Sequence, residues 1–140
     1  MRVTVDAPVW VAAVSDAEPH HAECQAFLAG AIRGGATFQQ PALSLVEVCA
    51  AIARKTRNPA LGIAAGAAML AMPGLVLHSL DLDTARESAE IAAATLLKSA
   101  DAVYVATARR AGASLVTLDR ELAERAEPVV RVMRPGEVEE

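Results

Sequence analysis

The sequence predicts a single α/β domain, a three-layer α/β/α sandwich around a central, mostly parallel sheet. Short apolar runs rich in β-branched residues alternate along the chain with longer segments of helical periodicity. Strands separated by helices form parallel sheets that are covered on both faces. Hydrophobic residues make up 54% of the chain but aromatic residues only 3%. The core is therefore built from Ala, Val, Leu and Ile, which suits helices packed closely on a sheet.

The first third of the chain predicts a strand, two helices and a second strand. The opening "RVTV" alternates and is β-branched, Pro19 opens the second helix, and Gly34 ends it. The predicted elements are strand 2–5, helix 9–14, helix 19–33 and strand 36–40.

The rest of the chain predicts further helices alternating with three strands. Pro73 breaks an apolar run, Ser99 caps a helix, and Gly112 ends that helix. The predicted elements are helix 44–56, helix 60–72, a strand within 75–80, a helix from 83 or 84 to 97, helix 99–111, strand 114–118, helix 120–125 and strand 129–133. The length of 140 residues fits one domain, which we place at 1–135, with a loose C-terminal tail at 136–140.

Several features favour a cytoplasmic protein without a membrane anchor. The stretch 58–80 contains no Asp, Glu, Lys or Arg, but Pro73 interrupts it, and a broken segment would leave backbone groups unpaired in lipid. Asp6 interrupts the apolar start of the chain, so the N-terminus does not resemble a signal peptide. Cys24 and Cys49 lack metal-type spacing, which indicates a reducing cytosol.

Two acidic residues directly follow predicted strands. Asp6 comes after strand 2–5, and Asp119 comes after strand 114–118. Ligands of open parallel sheets bind beyond the carboxyl ends of the strands. If these two strands are neighbours in the sheet, both carboxylates lie at one site.

Two further acids lie in unusually apolar helix starts. Glu47 lies inside "PALSLVEVCAAIA" and Asp101 inside "SADAVYVATA", and each is the only charged residue of its segment. Both fall in the first helical turn, where negative charge is favoured by about 0.3–1 kcal/mol, so we expect them to stay ionised. Four ionised carboxylates at one site repel one another. A hard cation such as Mg²⁺ or Mn²⁺, which prefers oxygen ligands, removes that repulsion.

Each of the four acids also has a purely structural interpretation. Ser44 and Glu47 have the spacing of a capping box, and Asp101 could complement the helix dipole. Asp6 and Asp119 could cap the helices that follow them. Capping and metal binding do not exclude each other, so the metal hypothesis depends on the combination of the four acids and their order along the chain.

At these residues the sequence resembles the PIN-domain ribonucleases, especially the VapC-like toxins of bacterial toxin–antitoxin pairs. The segment "SADAVYVATARRAGASLVTLDREL" is the most specific, because it combines Asp101, Gly112 and an apolar strand that ends at Asp119. The other matching segments are "VTVDAPVWVAAV" (3–14) and "PALSLVEVCAAIAR" (41–54).

The resemblance implies a PIN-like sandwich and a Mg²⁺- or Mn²⁺-dependent endoribonuclease that acts as a toxin. It implies that Asp6, Glu47, Asp101 and Asp119 form a catalytic, metal-holding quartet, with Thr117 supporting the site through a hydrogen bond. We expect Asp6 and Asp101 to be direct ligands, Glu47 to join directly or through water, and Asp119 to complete a second or weaker position. The resemblance also implies products with 5′-phosphate and 3′-hydroxyl ends, a homodimer and a small antitoxin partner.

The net charge of −4 does not suit a non-specific nucleic-acid binder. Assigning four of the 17 acidic residues to a metal leaves 13, which equals the number of Lys and Arg. Arg120, beside Asp119, is our candidate for a contact with RNA. The basic residues near 54–57 and at 109–110 are either RNA contacts or solvated helix ends.

One departure from the family pattern motivates a second hypothesis. Ala7-Pro8 stands where family members often carry Ser or Thr and then Asn or Ser. The second hypothesis is therefore a catalytically weak PIN-like module that binds RNA or a partner. A third, phosphoryl transfer on small phosphate esters, lacks the second acid of an Asp-x-Asp signature. Trp10 and Tyr104 are interpreted as core or dimer-contact residues.

Overall fold

A computed structural model describes residues 1–137 of the chain. Within them, five strands form one sheet in the order β3-β2-β1-β4-β5, and every neighbouring pair is parallel. The strands are β1 (Arg2–Val5), β2 (Thr37–Pro41), β3 (Leu75–His78), β4 (Ser114–Val116) and β5 (Val132–Met133). The predicted α/β fold with a parallel sheet is confirmed.

Helices cover both faces of this sheet. They are α1 (Ala7–Val14), α2 (His21–Arg33), α3 (Leu43–Thr56), α4 (Pro59–Leu70), α5 (Leu82–Thr95), α6 (Ser99–Ala111) and α7 (Arg120–Ala126). Helices α1 to α4 contribute to a core around Trp10, Phe27 and Phe38. Helices α5 to α7 contribute to a second core that contains Tyr104 and Leu115. The three predicted layers are therefore present.

The central strand β1 fixes the position of the first acidic residue. Val5 lies opposite Val116 of β4, while β2 pairs with the other side of β1. Because all strands run the same way, their carboxyl ends meet at one edge of the sheet. Asp6, directly after β1, lies at the centre of that edge.

Several boundaries differ from prediction by a few residues, among them that of strand β4, which ends at Val116 rather than at residue 118, and two of the differences have clear local causes. Helix α1 begins at Ala7 rather than at residue 9, because Pro8 fits the first helical turn, where no amide hydrogen is needed. Strand β5 begins at Val132 rather than at residue 129. The amides of Val129 and Val130 both donate to the Ala126 carbonyl, at 2.8 and 3.0 Å, and so extend the end of α7.

At helix α6 the predicted C-terminal end is correct and the predicted N-terminal cap is wrong. Gly112 ends the helix in the left-handed region, with φ 62°, and its amide donates to the Ala108 carbonyl. Ser99 does not cap the helix: Lys98 occupies the N-cap position, without a side-chain cap, and Ser99 is the first helical residue.

The C-terminal end closes with a short 3₁₀ turn, Pro135–Glu137. Two residues of the expected tail 136–140 therefore belong to this turn, and the other three lie outside the described residues. Within residues 1–137 no single helix is both long and apolar enough to cross a bilayer. Helices α5 and α6 reach that length and composition only together, and the chain bends by 115° between them.

Helices α3 and α4 pack closely because glycine faces the contact. A methyl group on Gly62 would lie 2.6 Å from the Cys49 carbonyl oxygen and 2.8 Å from the Ala53 Cβ. Gly30, in the interior of α2, has its nearest neighbour, an Arg33 guanidinium nitrogen, 3.7 Å from the same added group. The two glycines share helical backbone geometry and differ in the space around them.

We predict that Gly62→Ala and Gly30→Ala change stability in opposite directions. Gly62→Ala is expected to lower the free energy of unfolding by about 1–3 kcal/mol, because the added methyl group meets backbone that cannot move aside. Gly30→Ala is expected to raise it by up to about 1 kcal/mol through helix propensity alone. Urea denaturation of both variants measures the difference, and a shift of both in the same direction would contradict the close packing of α3 on α4.

Candidate active site

Asp6 is buried at the carboxyl end of β1, with 5% of its surface exposed. Its Oδ1 accepts a hydrogen bond from the Ala7 amide at 3.0 Å, and its Oδ2 accepts one from the Thr117 hydroxyl at 2.9 Å. Asp6 therefore caps α1, as its structural interpretation predicted. The capping contact uses one carboxylate oxygen, and the other is bound by Thr117, the residue that directly follows β4.

The pKa of Asp6 is raised by burial and by neighbouring acids. Burial raises the pKa of Asp6 from 3.8 to about 7. The hydrogen bond from Thr117 lowers this pKa, while the carboxylates of Asp101 and Glu47 raise it. Three of the four predicted site acids are therefore close enough to affect one another's charge.

Glu47 lies in the second turn of α3, not in the first turn as predicted, and it does not form the capping box. Helix α3 begins at Leu43, after Ala42, so Ser44 is inside the helix and its hydroxyl is hydrogen-bonded in the core. The Oε1 atom of Glu47 is buried and has no hydrogen-bond partner among residues 1–137. Burial raises the pKa of Glu47, the nearby Tyr104 hydroxyl lowers it, and the charge of Asp101 raises it.

Asp101 lies in the first turn of α6 and is half-buried. Burial raises the pKa of Asp101, and the charges of Asp119 and Glu121 raise it further, against the opposing effect of Lys98. A helix N-terminus alone would stabilise the charged form. The neighbouring acids and the loss of water thus outweigh the helix dipole here.

Asp119 lies at the rim of this group. Its Oδ1 accepts a hydrogen bond from the Leu122 amide at 3.1 Å, so it caps α7, as its structural interpretation predicted. The side chain is exposed, and its charge acts on Asp101. Arg120, the candidate RNA contact, is exposed in the first turn of α7 beside it.

Thr117 connects the two acids that follow strands. It is fully buried, its hydroxyl donates to Asp6, and the same oxygen accepts from the Asp119 amide at 3.0 Å. One hydroxyl group thus fixes both the Asp6 carboxylate and the backbone that carries Asp119. The hydrogen bonds of Thr117 are shown, while its role in supporting a metal site stays a prediction.

Three of the basic groups considered as RNA contacts pair with acidic side chains. Arg109 and Arg110 both contact the Glu87 carboxylate, at 3.8 and 3.1 Å. Lys55, at the end of α3, pairs with Glu18. These contacts agree with solvated helix ends that carry surface ion pairs.

The four acids suit a divalent cation in donor type and in charge. Carboxylate oxygens are preferred by Mg²⁺ and Mn²⁺, Glu47 offers a buried oxygen without a partner, and the raised pKa of Asp6 reflects partly the repulsion from its neighbours. Within residues 1–137, however, no three His, Cys, Asp or Glu side chains lie close enough to form a ready coordination group. Binding a cation therefore requires side-chain adjustment or bridging water.

Sequence reasoning missed a buried polar chain that connects β2, α3 and α6. It consists of Gln40, Ser44 and Tyr104, all fully buried. Gln40 Nε2 donates to the Ser44 hydroxyl at 2.9 Å, and Ser44 donates to the Tyr104 hydroxyl at 2.9 Å. The only signal in the sequence is spacing, because Ser44 precedes Glu47 by three residues and Tyr104 follows Asp101 by three, which places each pair on one helix face.

Comparison with known proteins agrees with this arrangement. Residues 3–128 match the PIN domain. The chain belongs to the PIN domain family. None of the curated proteins has significant sequence similarity to this PIN domain.

Solved structures resemble the whole chain at low sequence identity. VapBC2 from Rickettsia felis, bound to a DNA fragment from its promoter, shares 14% identity over 96% of this chain and 98% of its own, with a TM-score of 0.75. FitAcB from Neisseria gonorrhoeae shares 17% identity over 96% and 98%, with a TM-score of 0.69. FitAB bound to an IR36 DNA fragment shares 17% over 100% and 99%, with a TM-score of 0.67. At such identities the likeness shows the fold.

We predict that Asp6 makes the metal-free protein less stable as the pH rises from about 4 to about 7. In this range the unfolded chain has lost the Asp6 proton, whereas the folded protein retains it because the pKa of Asp6 is raised from 3.8 to about 7. The shift corresponds to a loss on the order of 4 kcal/mol across the range. In Asp6→Asn this contribution is absent. Denaturation at several pH values should show the variant gaining stability relative to wild type as the pH rises, and parallel curves would contradict the assignment.

Proposed function

We propose that this PIN domain protein is a Mg²⁺- or Mn²⁺-dependent endoribonuclease and the toxin of a toxin–antitoxin pair. The observation that carries the proposal is the buried Asp6 carboxylate, whose pKa is raised to about 7 by burial and by the neighbouring Asp101 and Glu47. A fold that buries one carboxylate and half-buries two others near it, at the carboxyl edge of a parallel sheet, favours the binding of a cation there. Membership of the PIN domain family, whose members are typically nucleases, supports the same activity.

The four acids would have different roles at the cation, according to their burial and position. Asp6 and Asp101 would hold the cation directly, and Glu47 would add the oxygen that lacks a partner. Asp119, exposed at the rim, would face the RNA and the attacking water. Bound divalent metal makes water a better nucleophile and neutralises phosphate charge. Thr117 keeps the Asp6 carboxylate oriented while this happens.

The proposed partners follow from the substrate and from the solved relatives. Arg120 is exposed beside Asp119 and could contact an RNA phosphate. Apolar side chains exposed on α4 and β3, among them Ile63 and Val76, offer surface for a second copy of the chain or for a small antitoxin. We propose cleavage to 5′-phosphate and 3′-hydroxyl ends in the cytoplasm.

A second candidate is a PIN-like module that binds RNA or a partner with little catalysis. It is favoured by Ala7, which supplies no side-chain hydroxyl or amide beside Asp6, and by the absence of a ready three-ligand group within residues 1–137. Calorimetric titration with Mn²⁺ separates the candidates. Binding at micromolar to low millimolar metal supports the nuclease, and no binding at millimolar metal supports the module.

We predict that Asp101→Asn abolishes Mn²⁺-dependent RNA cleavage while Asp83→Asn leaves it intact. Both residues lie in the first turn of a helix, Asp101 in α6 and Asp83 in α5. Each substitution therefore removes the same favourable contact with the helix dipole, worth about 0.3–1 kcal/mol. Only Asp101 also lies next to the other site acids, so its loss should reduce the cleavage rate by at least about 100-fold.

Gel analysis of a structured RNA incubated with each variant, with Mn²⁺ and with chelator, provides the measurement. Cleavage that persists in Asp101→Asn at the wild-type rate would reject the assigned site. Equal loss of cleavage in both variants would attribute the effect to helix stability instead.

A further inference from the structure

The pairing of β1 with β2 stops before the chain reaches the site. Val3 lies opposite Phe38, and this is the last pair of the two strands that the structure describes. Continuing the same parallel register would place Val5 opposite Gln40 and direct the Val5 carbonyl to the backbone nitrogen of Pro41. Proline has no amide hydrogen, so it cannot donate that bond. The end of β1 therefore needs another partner on this side.

The Gln40 side chain supplies the contacts that the β2 backbone does not. Its Oε1 accepts a hydrogen bond from the Val5 amide at 2.6 Å, and its Nε2 donates to the Val5 carbonyl at 2.8 Å, beside the Trp10 indole at 3.0 Å. A side-chain amide has an acceptor oxygen and a donor nitrogen, as a peptide group has, so it can pair with both backbone groups of Val5. A reversed amide would set donor against donor and acceptor against acceptor, which fixes its orientation.

Gln40 also joins the strand before Asp6 to the helix that carries Glu47. The second hydrogen of its Nε2 donates to the Ser44 hydroxyl at 2.9 Å, in the first turn of α3. Gln40 is fully buried, and its side-chain oxygen and both amide hydrogens are bonded within the protein. A buried amide that is satisfied in this way has one orientation, so it fixes the end of β1 relative to the start of α3.

On the other side of β1, ordinary backbone pairing continues up to the site. Val5 lies opposite Val116, and the Asp6 amide donates to the Val116 carbonyl at 2.9 Å. The end of β1 is thus held by a strand toward β4 and by a side chain toward β2. Removing the Gln40 amide should therefore release β1 on one side while the pairing with β4 remains.

We propose that Gln40 is a positioning residue: its side-chain amide takes the place of the missing backbone donor of Pro41, holds Val5, and so keeps the carboxylate of the next residue, Asp6, placed for a divalent cation. The inference deepens the proposed function, on which its metal-binding part rests. Groups that orient a ligating carboxylate without touching the metal commonly contribute about 10–100-fold to metal affinity. Gln40 itself touches neither the metal nor the RNA in this proposal.

The first test uses NMR on the metal-free protein. In the wild type, a coupling across the hydrogen bond should connect the Val5 nitrogen with the side-chain carbonyl carbon of Gln40. Three-bond couplings across the Cα–Cβ bond of Asp6 should indicate one rotamer in the wild type and averaging in Gln40→Met, which keeps the length of the side chain but removes its donor and acceptor. Absence of the first coupling would overturn the proposal even if the variant fails to fold, and unchanged Asp6 couplings in the variant would overturn it as well.

The second test measures Mn²⁺ affinity by calorimetry. Gln40→Met should weaken Mn²⁺ binding by about 10-fold or more. The matched control is Gln39→Met, because Gln39 is the neighbouring glutamine of β2 but its side chain bonds to Thr37 and His78 instead. This control should leave both the Mn²⁺ affinity and the Asp6 couplings unchanged. An equal loss of affinity in the two variants would overturn the proposal.

A second control separates positioning from general stability. Phe27 is buried on α2 and lines a cavity with Met1 and Ala36, the residues that precede β1 and β2 at the other end of the sheet. Phe27→Leu should lower stability but leave Mn²⁺ affinity unchanged, and an effect equal to that of Gln40→Met would overturn the proposal. A wild-type protein that shows the expected couplings but binds no Mn²⁺ would reject the proposed nuclease and retain the role of Gln40 in orienting Asp6.

Discussion

The loss of water around the buried Asp6 carboxylate, to which neighbouring carboxylates add repulsion, is the constraint on which the site depends. Asp6 has two hydrogen bonds, from Ala7 and Thr117, yet the pKa of its carboxyl group remains raised to about 7. Two neutral donors do not replace the water lost on burial while Asp101 and Glu47 add negative charge nearby. Burial thus favours the protonated form of Asp6, and a nearby positive charge would favour the ionised form. A positive charge at this end of the sheet would therefore stabilise the site.

The scaffold maintains this arrangement through its parallel register and its small core residues. Because Val5 lies opposite Val116, Asp6 lies beside Thr117 and the two side chains form a hydrogen bond. These two residues are 111 positions apart in sequence. Fully buried alanine and valine positions on α6 let that helix approach β1 and β2 closely. Tyr104 is the one large polar side chain admitted there, and its hydroxyl is met by Ser44. Helix α6 therefore packs closely on the sheet through its small residues and also makes a polar contact with α3 through Tyr104.

Sequence patterns predicted what depends on local chemistry and missed what depends on distant partners. Strand alternation and the rule for parallel sheet edges placed Asp6 and Asp119 correctly at the carboxyl end of the sheet. The spacing of Ser44 and Glu47 predicted a capping box, which was wrong because Tyr104, sixty residues later, accepts the Ser44 hydroxyl instead. Gln40 carried no signal, since a glutamine in a strand is ordinary until its neighbours are known. A hydroxyl or amide has several suitable partners, and only tertiary structure selects among them.

The unusual Ala7-Pro8 pair leaves the position of Asp6 unchanged but alters the polar groups around its carboxylate. The Ala7 amide still donates to the carboxylate, and Pro8 occupies a helical position whose missing amide hydrogen costs nothing. The fixed φ of proline also lowers the conformational entropy that the unfolded chain would gain at this turn. What is absent is a side-chain hydroxyl or amide that could bind water or a metal-bound oxygen beside Asp6. On one side of the central strand Thr117, directly after β4, donates to the Asp6 carboxylate, and on the other side Gln40 of β2 binds the Val5 backbone.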